Sequence, residues 1–212
     1  MQQFYYFNGF NSAVLEDFSG SPKIVAAAEY AHRAGFQFIP YSIDYRQLRS
    51  HRDAILKQVS VKTSEIIFCG SSMGGWFARI MQLQLVQRRP RLRVTTIGWN
   101  PAYDMGSHGH MLVGPQQNYV TFESYQWTQA HSAVLKDMEE EVDYDKDLPF
   151  YVYCDKGDEV IGWEDSAARH KAIANFRAFD GGCHSFDHYA EALIDFNQLY
   201  GADKLAAAHA NC

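Results

Sequence analysis

Ser72 stands at the centre of Gly70-Ser71-Ser72-Met73-Gly74, a Gly-x-Ser-x-Gly run, and a serine hydroxyl can attack an acyl carbon once a base removes its proton. The apolar run Ile66-Ile67-Phe68 precedes it, and Trp76-Phe77-Ala78-Arg79-Ile80-Met81 follows with helical spacing. A serine on a tight strand-to-helix turn is held with its oxygen exposed and its backbone strained, the arrangement called a nucleophile elbow. Gly70 and Gly74 suit that crowding, because a Cβ at either would collide with neighbouring backbone. The same five residues also occur as a Gly/Ser loop without chemistry, so the weight rests on context.

The base for such a serine is usually a histidine oriented by a carboxylate, and behind a nucleophile elbow the chain order is serine, acid, histidine. Of nine histidines, His184 in Gly181-Gly182-Cys183-His184-Ser185 is best placed, after the last predicted strand and a Gly-Gly turn. The acid is expected after the strand Phe150–Cys154, and Asp158 follows a glycine that can turn the chain toward the histidine. Asp155, then Glu159, are substitutes; Asp104, after the preceding strand, is the less common layout. His184 and His188 have the i,i+4 relation of a metal pair, but Ser185 replaces the glutamate of the H-E-x-x-H pattern. His108 and His110 read as loop residues, so no metal and no cofactor are expected.

The negative oxygen of a tetrahedral intermediate needs backbone N–H groups aimed at it, one from the residue after the nucleophile and one from the loop after the first strand. Met73 and Phe10 occupy those places, with Gly9 allowing close approach to substrate. Asn8 and the aromatic group Tyr119, Phe122, Tyr125 and Trp127 are the expected substrate pocket.

These residues must be positioned by a scaffold, and its pattern is regular. Strands are predicted at Phe4–Phe7, Phe36–Ile43, Glu65–Cys69, Val94–Trp99, Phe150–Cys154 and Asn175–Phe179. Helices are predicted near 22–34, 45–59, 72–88, 123–141, 164–173 and 185–200. Ser21-Pro22 reads as a helix start and Gly35 as a helix stop. This alternation predicts an α/β fold with about six mostly parallel strands, order 2-1-3-4-5-6, and helices on both faces in a three-layer sandwich. The chain, 1–212, is expected to be a single domain. Within it the stretch 100–148, about fifty residues between two strands, is too long for a simple crossover and reads as a lid-like insertion, with an ordinary helical insertion packed on the sheet as the alternative.

The chain resembles the YqiA-like esterases of the α/β-hydrolase superfamily. The resemblance runs through Phe7-Asn8-Gly9-Phe10-Asn11-Ser12, Gly70-Ser71-Ser72-Met73-Gly74-Gly75, Asn100-Pro101-Ala102, Gly157-Asp158-Glu159-Val160 and Gly181-Gly182-Cys183-His184-Ser185-Phe186, in order along nearly the whole chain. It implies a Ser72–Asp158–His184 triad, carboxylic-ester hydrolysis and a minimal cap. Two positions depart from the family pattern: Asn8 stands where histidine is common, and Cys183 where a polar residue such as asparagine is common.

Bulk properties narrow the alternatives. A formal charge of −6 argues against nucleic acid. No apolar stretch approaches the roughly 18 residues of a membrane span, and Met1-Gln2-Gln3 followed by Phe4–Phe7 does not read as a secretory leader. Cysteines at 69, 154, 183 and 212 show no paired spacing, so a reduced cytoplasm is expected. Arg88-Arg89-Pro90-Arg91-Leu92-Arg93 lies at the end of a helix that starts at the serine, hence away from the site, and the acidic run 137–147 reads as a solvated face. The expected partner is a small-molecule ester or acyl substrate, with a homodimer left open. A thioesterase or acyltransferase would use the same fold, and a non-catalytic ligand receptor would not need the full triad.

Overall fold

The computed structural model describes residues 1–18, 20–144, 146–170 and 175–210, with side chains as far as Asp203. Cys212 and residues 171–173 of the expected fifth helix lie outside the described residues.

Six strands form one sheet: β1 (Gln2–Phe7), β2 (Gln37–Tyr41), β3 (Glu65–Ser71), β4 (Arg93–Trp99), β7 (Phe150–Asp155) and β8 (Phe176–Phe179). Their order is β2-β1-β3-β4-β7-β8, and every neighbouring pair is parallel. This is the expected order and an α/β-hydrolase architecture. The central strand β3 is buried along its whole length, as a strand covered on both faces must be. Pro40 lies in β2, at the sheet edge, where its missing N–H leaves no neighbour unsatisfied.

Side chains alternate across a strand, so Phe4-Tyr5-Tyr6-Phe7 feeds two cores at once. Tyr5 and Phe7 join Ile66, Phe68, Trp76 and Phe77 on one face, while Phe4 and Tyr6 join Ile67, Cys69, Trp99 and Phe196 on the other. The first face packs on α2 (Leu48–Gln58) and α3 (Met73–Arg88); the second packs on α1 (Pro22–Arg33) and α7 (Tyr189–Ala210). Helix α3 is buried nearly all round from Met73 to Leu85, Arg79, Gln82 and Gln84 included, because it is enclosed by the sheet and by the segment 100–148.

That segment contains α4 (Met105–His108), β5 (Gly114–Gln117), β6 (Ser124–Trp127) and α5 (Gln129–Glu140). Strands β5 and β6 form an antiparallel hairpin. The sequence reading placed a helix over 123–141, and its first part is instead strand. Thr128 ends the strand and starts the helix: its side chain accepts from His131 N–H and the His131 ring accepts from Thr128 N–H, a capping box. The segment is anchored to the main core by Trp127, Leu135 and Met138, and by Glu139, which accepts from Trp76 Nε1 at 2.6 Å. Helix α6 (Trp163–His170) packs beside β7 and β8.

Candidate active site

Ser72 sits between β3 and α3 with φ 56° and ψ −127°, a conformation L-residues rarely adopt. Its backbone is fixed at both ends: Ser72 N–H donates to Trp99 O at 3.0 Å and its carbonyl accepts from Ala102 N–H at 3.0 Å. The glycines make the turn feasible. A Cβ on Gly70 would stand 2.1 Å from the Gly74 carbonyl oxygen, and one on Gly74 would stand 2.4 Å from that of Phe7. Strand, turn and helix are therefore in backbone contact, and the hydroxyl is the group left at the carboxyl edge of the sheet.

The three side chains nominated from sequence meet there. His184 Nε2 lies 3.1 Å from Ser72 Oγ, and His184 Nδ1 lies 2.9 Å from both carboxylate oxygens of Asp158. The Asp158 side chain is 1% exposed. Burial alone raises a carboxyl, but the His184 hydrogen bond and the N–H groups of Ile161 and Val160 hold Asp158 below the usual carboxylate range. A carboxylate kept ionised in this position orients the imidazole and stabilises it once it gains a proton.

The other candidate carboxylates have separate employments. Asp155, the last residue of β7, is fully buried and accepts from Cys183 N–H (3.3 Å), Asp187 N–H (2.7 Å) and His188 Nδ1 (2.7 Å). A Cβ on Gly182 would fall 2.0 Å from a carboxylate oxygen of Asp155, so the chain can pass over it only as glycine, at φ 72°. Glu159 accepts from His184 N–H at 3.0 Å. Asp104 pairs with Arg169. The i,i+4 histidines face different acids, His184 toward Asp158 and His188 toward Asp155. Asn100 completes the frame: its Nδ2 donates to Cys183 O at 2.9 Å and its Oδ1 accepts from Asp155 N–H at 2.8 Å. Sequence reasoning did not foresee this scaffold for the histidine loop, because Asp155 read as a substitute acid and Asn100 entered only as part of the motif Asn100-Pro101-Ala102.

Met73 N–H is at the first helical position and has no intrahelical acceptor. Phe10 lies in the loop after β1, which Asn8 braces from below: Nδ2 donates to Ser12 O at 2.7 Å, Oδ1 accepts from Ile43 N–H at 2.7 Å, and the Asn8 carbonyl accepts from Tyr45 OH at 2.6 Å. Asn8 thus supports the loop, and it also lines a cavity of about 490 Å³ beside it. The aromatic residues are dispersed. Trp127 is fully buried, with Nε1 donating to Ser132 Oγ, and its ring meets Phe10 edge-on at 5.1 Å. It is a core support for the loop and not an open pocket wall. Tyr119 and Phe122 are each 73% exposed at the hairpin turn. Tyr125 lies under the Arg46 guanidinium and lines a smaller hollow with Asn11 and Asp44.

The hairpin is bonded directly to this loop. Asn11 Nδ2 donates to Gln116 Oε1 (2.8 Å), Asn11 Oδ1 accepts from Tyr125 OH (2.5 Å), and Asn11 O accepts from Tyr119 N–H (2.8 Å).

A family match runs from residue 4 to residue 199. The chain belongs to UPF0227. That family is described as an uncharacterised protein family, and it is the YqiA-like family that the motifs resemble. A search of curated proteins finds no match. Among solved structures, this UPF0227 chain is similar to Est1E from Butyrivibrio proteoclasticus (TM-score 0.67, 14% identity, 96% of this chain and 88% of the other). It is also similar to mouse alpha/beta hydrolase domain-containing protein 10 (TM-score 0.64, 18% identity, 96% and 90%). A third is an alpha/beta superfamily protein from Xanthomonas campestris pv. campestris (TM-score 0.60, 18% identity, 94% and 98%). At these identities the likeness of UPF0227 to its neighbours is one of fold.

Proposed function

We propose that the protein is a serine hydrolase that cleaves carboxylic esters through Ser72, His184 and Asp158. The observation that carries this reading is the unbroken relay of contacts from Ser72 Oγ to His184 Nε2 (3.1 Å) and from His184 Nδ1 to Asp158 (2.9 Å). His184 takes the hydroxyl proton as Ser72 Oγ attacks the acyl carbon. Phe10 and Met73 N–H groups receive the negative oxygen of the tetrahedral intermediate. His184 then passes the proton to the departing alcohol, leaving an acyl-serine. A water, deprotonated by His184, attacks that acyl group; the acid leaves and Ser72 recovers its proton.

Two further elements belong to this reading. The segment 100–148 borders the site as an insertion within one hydrolase domain, and its hairpin is the part that would shape access. Among the described residues no helix is long and apolar enough to cross a membrane; a cytoplasmic location is proposed with the enzyme.

A fluorophosphonate probe tests the reading. It should label wild type at Ser72 and leave Ser72→Ala unlabelled, and kcat/KM on a chain-length series of oxygen esters should exceed that on matched thioesters. Labelling that survives Ser72→Ala would refute the nucleophile assignment. Faster thioester turnover would move the enzyme to the thioesterase class on the same fold.

A further inference from the structure

The 490 Å³ cavity lies within the size range of small-molecule sites. It opens between the loop after β1, the start of α1, the segment following His184, and Val120 at the hairpin turn. Its inner edge is shared with the candidate active site. Gly9 lines it, and a Cβ there would stand 3.3 Å from Ser72 Cβ; Ser185, directly after His184, lines it too.

Lys23, on the first turn of α1, brings a positive charge to this wall. Its Nζ donates to Ser71 Oγ at 3.0 Å and to Ser185 O at 2.7 Å, both neutral oxygens. An ammonium has three N–H donors, so one remains. Among the described residues no carboxylate lies within ion-pair distance of it; Asp187 and Asp155 act on it only from further away. Burial lowers its pKa to about 8, with the surrounding Cys69, Cys183, Asp187 and Asp155 opposing that fall. A cation held by neutral oxygens beside an open cavity would gain from a negative partner inside it. One cation, with the exposed Asp187 at the rim, suits a single negative charge better than a doubly charged phosphate.

We propose that Lys23 recognises a carboxylate carried by the substrate, so that the preferred esters bear one carboxylate on the acyl or the alcohol part. This rests on Ser72 being the nucleophile. Two arms distinguish the sides of the ester. One compares phenyl hydrogen succinate, glutarate and adipate with neutral phenyl esters of matched length; the other compares 4-carboxyphenyl butyrate with phenyl butyrate. Wild type should favour the charged ester in one arm, with a kcat/KM ratio above ten that falls with added salt. Lys23→Met should lower that ratio at least tenfold, and Lys23→Arg should keep it above one. Because the readout is a ratio, a general disturbance of the loop cancels. An unchanged ratio in Lys23→Met would overturn the proposal and leave Lys23 as a tie between elbow and histidine loop. No charged preference in wild type overturns it without any variant. Failure of every ester together with absent fluorophosphonate labelling would instead refute the esterase reading itself.

Discussion

The Asp155 carboxylate accepts a hydrogen bond from His188 Nδ1 at 2.7 Å, four residues beyond the histidine that faces Ser72. With the N–H groups of Cys183 and Asp187 on the same carboxylate, this fastens both ends of the turn that carries His184. Asp155→Ala should therefore destabilise the fold by about 2–3 kcal/mol, since three partly buried donors lose their shared acceptor. Asp158→Asn should leave the urea midpoint nearly unchanged, because an amide oxygen can still accept from Val160 and Ile161 N–H. The same variant should lower kcat roughly 10⁴-fold through the wrong imidazole tautomer. Equal losses of stability in the two variants would contradict this division of labour.

Ser72 holds a backbone conformation that suits glycine better than serine. Ser72→Gly should abolish turnover and raise stability by about 1–2 kcal/mol, as strain of this kind typically costs that much. Thermal melts of wild type, Ser72→Ala and Ser72→Gly are the measurement. A glycine variant no more stable than the alanine variant would mean the turn is relaxed.

Tyr125→Phe removes only the hydroxyl that donates to Asn11 Oδ1. If Phe10 N–H serves the oxyanion, loosening the neighbouring residue should slow phosphonylation of Ser72 about fivefold, near 1 kcal/mol of barrier. The labelling rate measures it at fixed probe concentration. A wild-type rate would show that the hairpin bond does not set the loop.

His170 is buried between Tyr103, Phe150 and Phe176, and burial, with Arg79 and Arg169, lowers its pKa to about 4. Its neutral form is the folded one, so its contribution to stability is complete above the unfolded value of about 6.5. As pH falls from there toward 4, the unfolded chain binds the proton first and stability drops, by up to about 3 kcal/mol. Urea midpoints at pH 7, 5.5 and 4.5 should show this decline in wild type and a shallower one in His170→Gln. Parallel slopes would remove His170 as the cause.

Much of the architecture was legible because burial on both faces leaves a plain trace. Ile66-Ile67-Phe68-Cys69, β-branched, apolar and followed by glycine, reads as a buried strand, and the glycines around Ser72 mark where backbones touch. The hairpin was not legible. Gly114-Pro115-Gln116-Gln117 has no apolar alternation, and Tyr125 and Trp127 run into a helical stretch; Thr128, three residues before His131, was the available sign of the true helix start. Asp158 stood ahead of Asp155 in sequence only by the glycine before it, since both follow the same strand. The fold separates them: a residue at the strand's end is enclosed, and one past the turn reaches outward to the ring of His184. Lys23 gave no signal at all, because its partners at Ser71 and Ser185 are brought to it only by folding.

The contacts joining Asn11 to Gln116, Tyr119 and Tyr125 have an evolutionary corollary. A hairpin bonded to the strand-one loop cannot be exchanged as a free module, because any graft that redraws it also shifts the loop that carries Phe10, the proposed oxyanion donor. Selectivity and speed would then drift together in this lineage, and a transplanted hairpin would have to bring its own partner for Asn11.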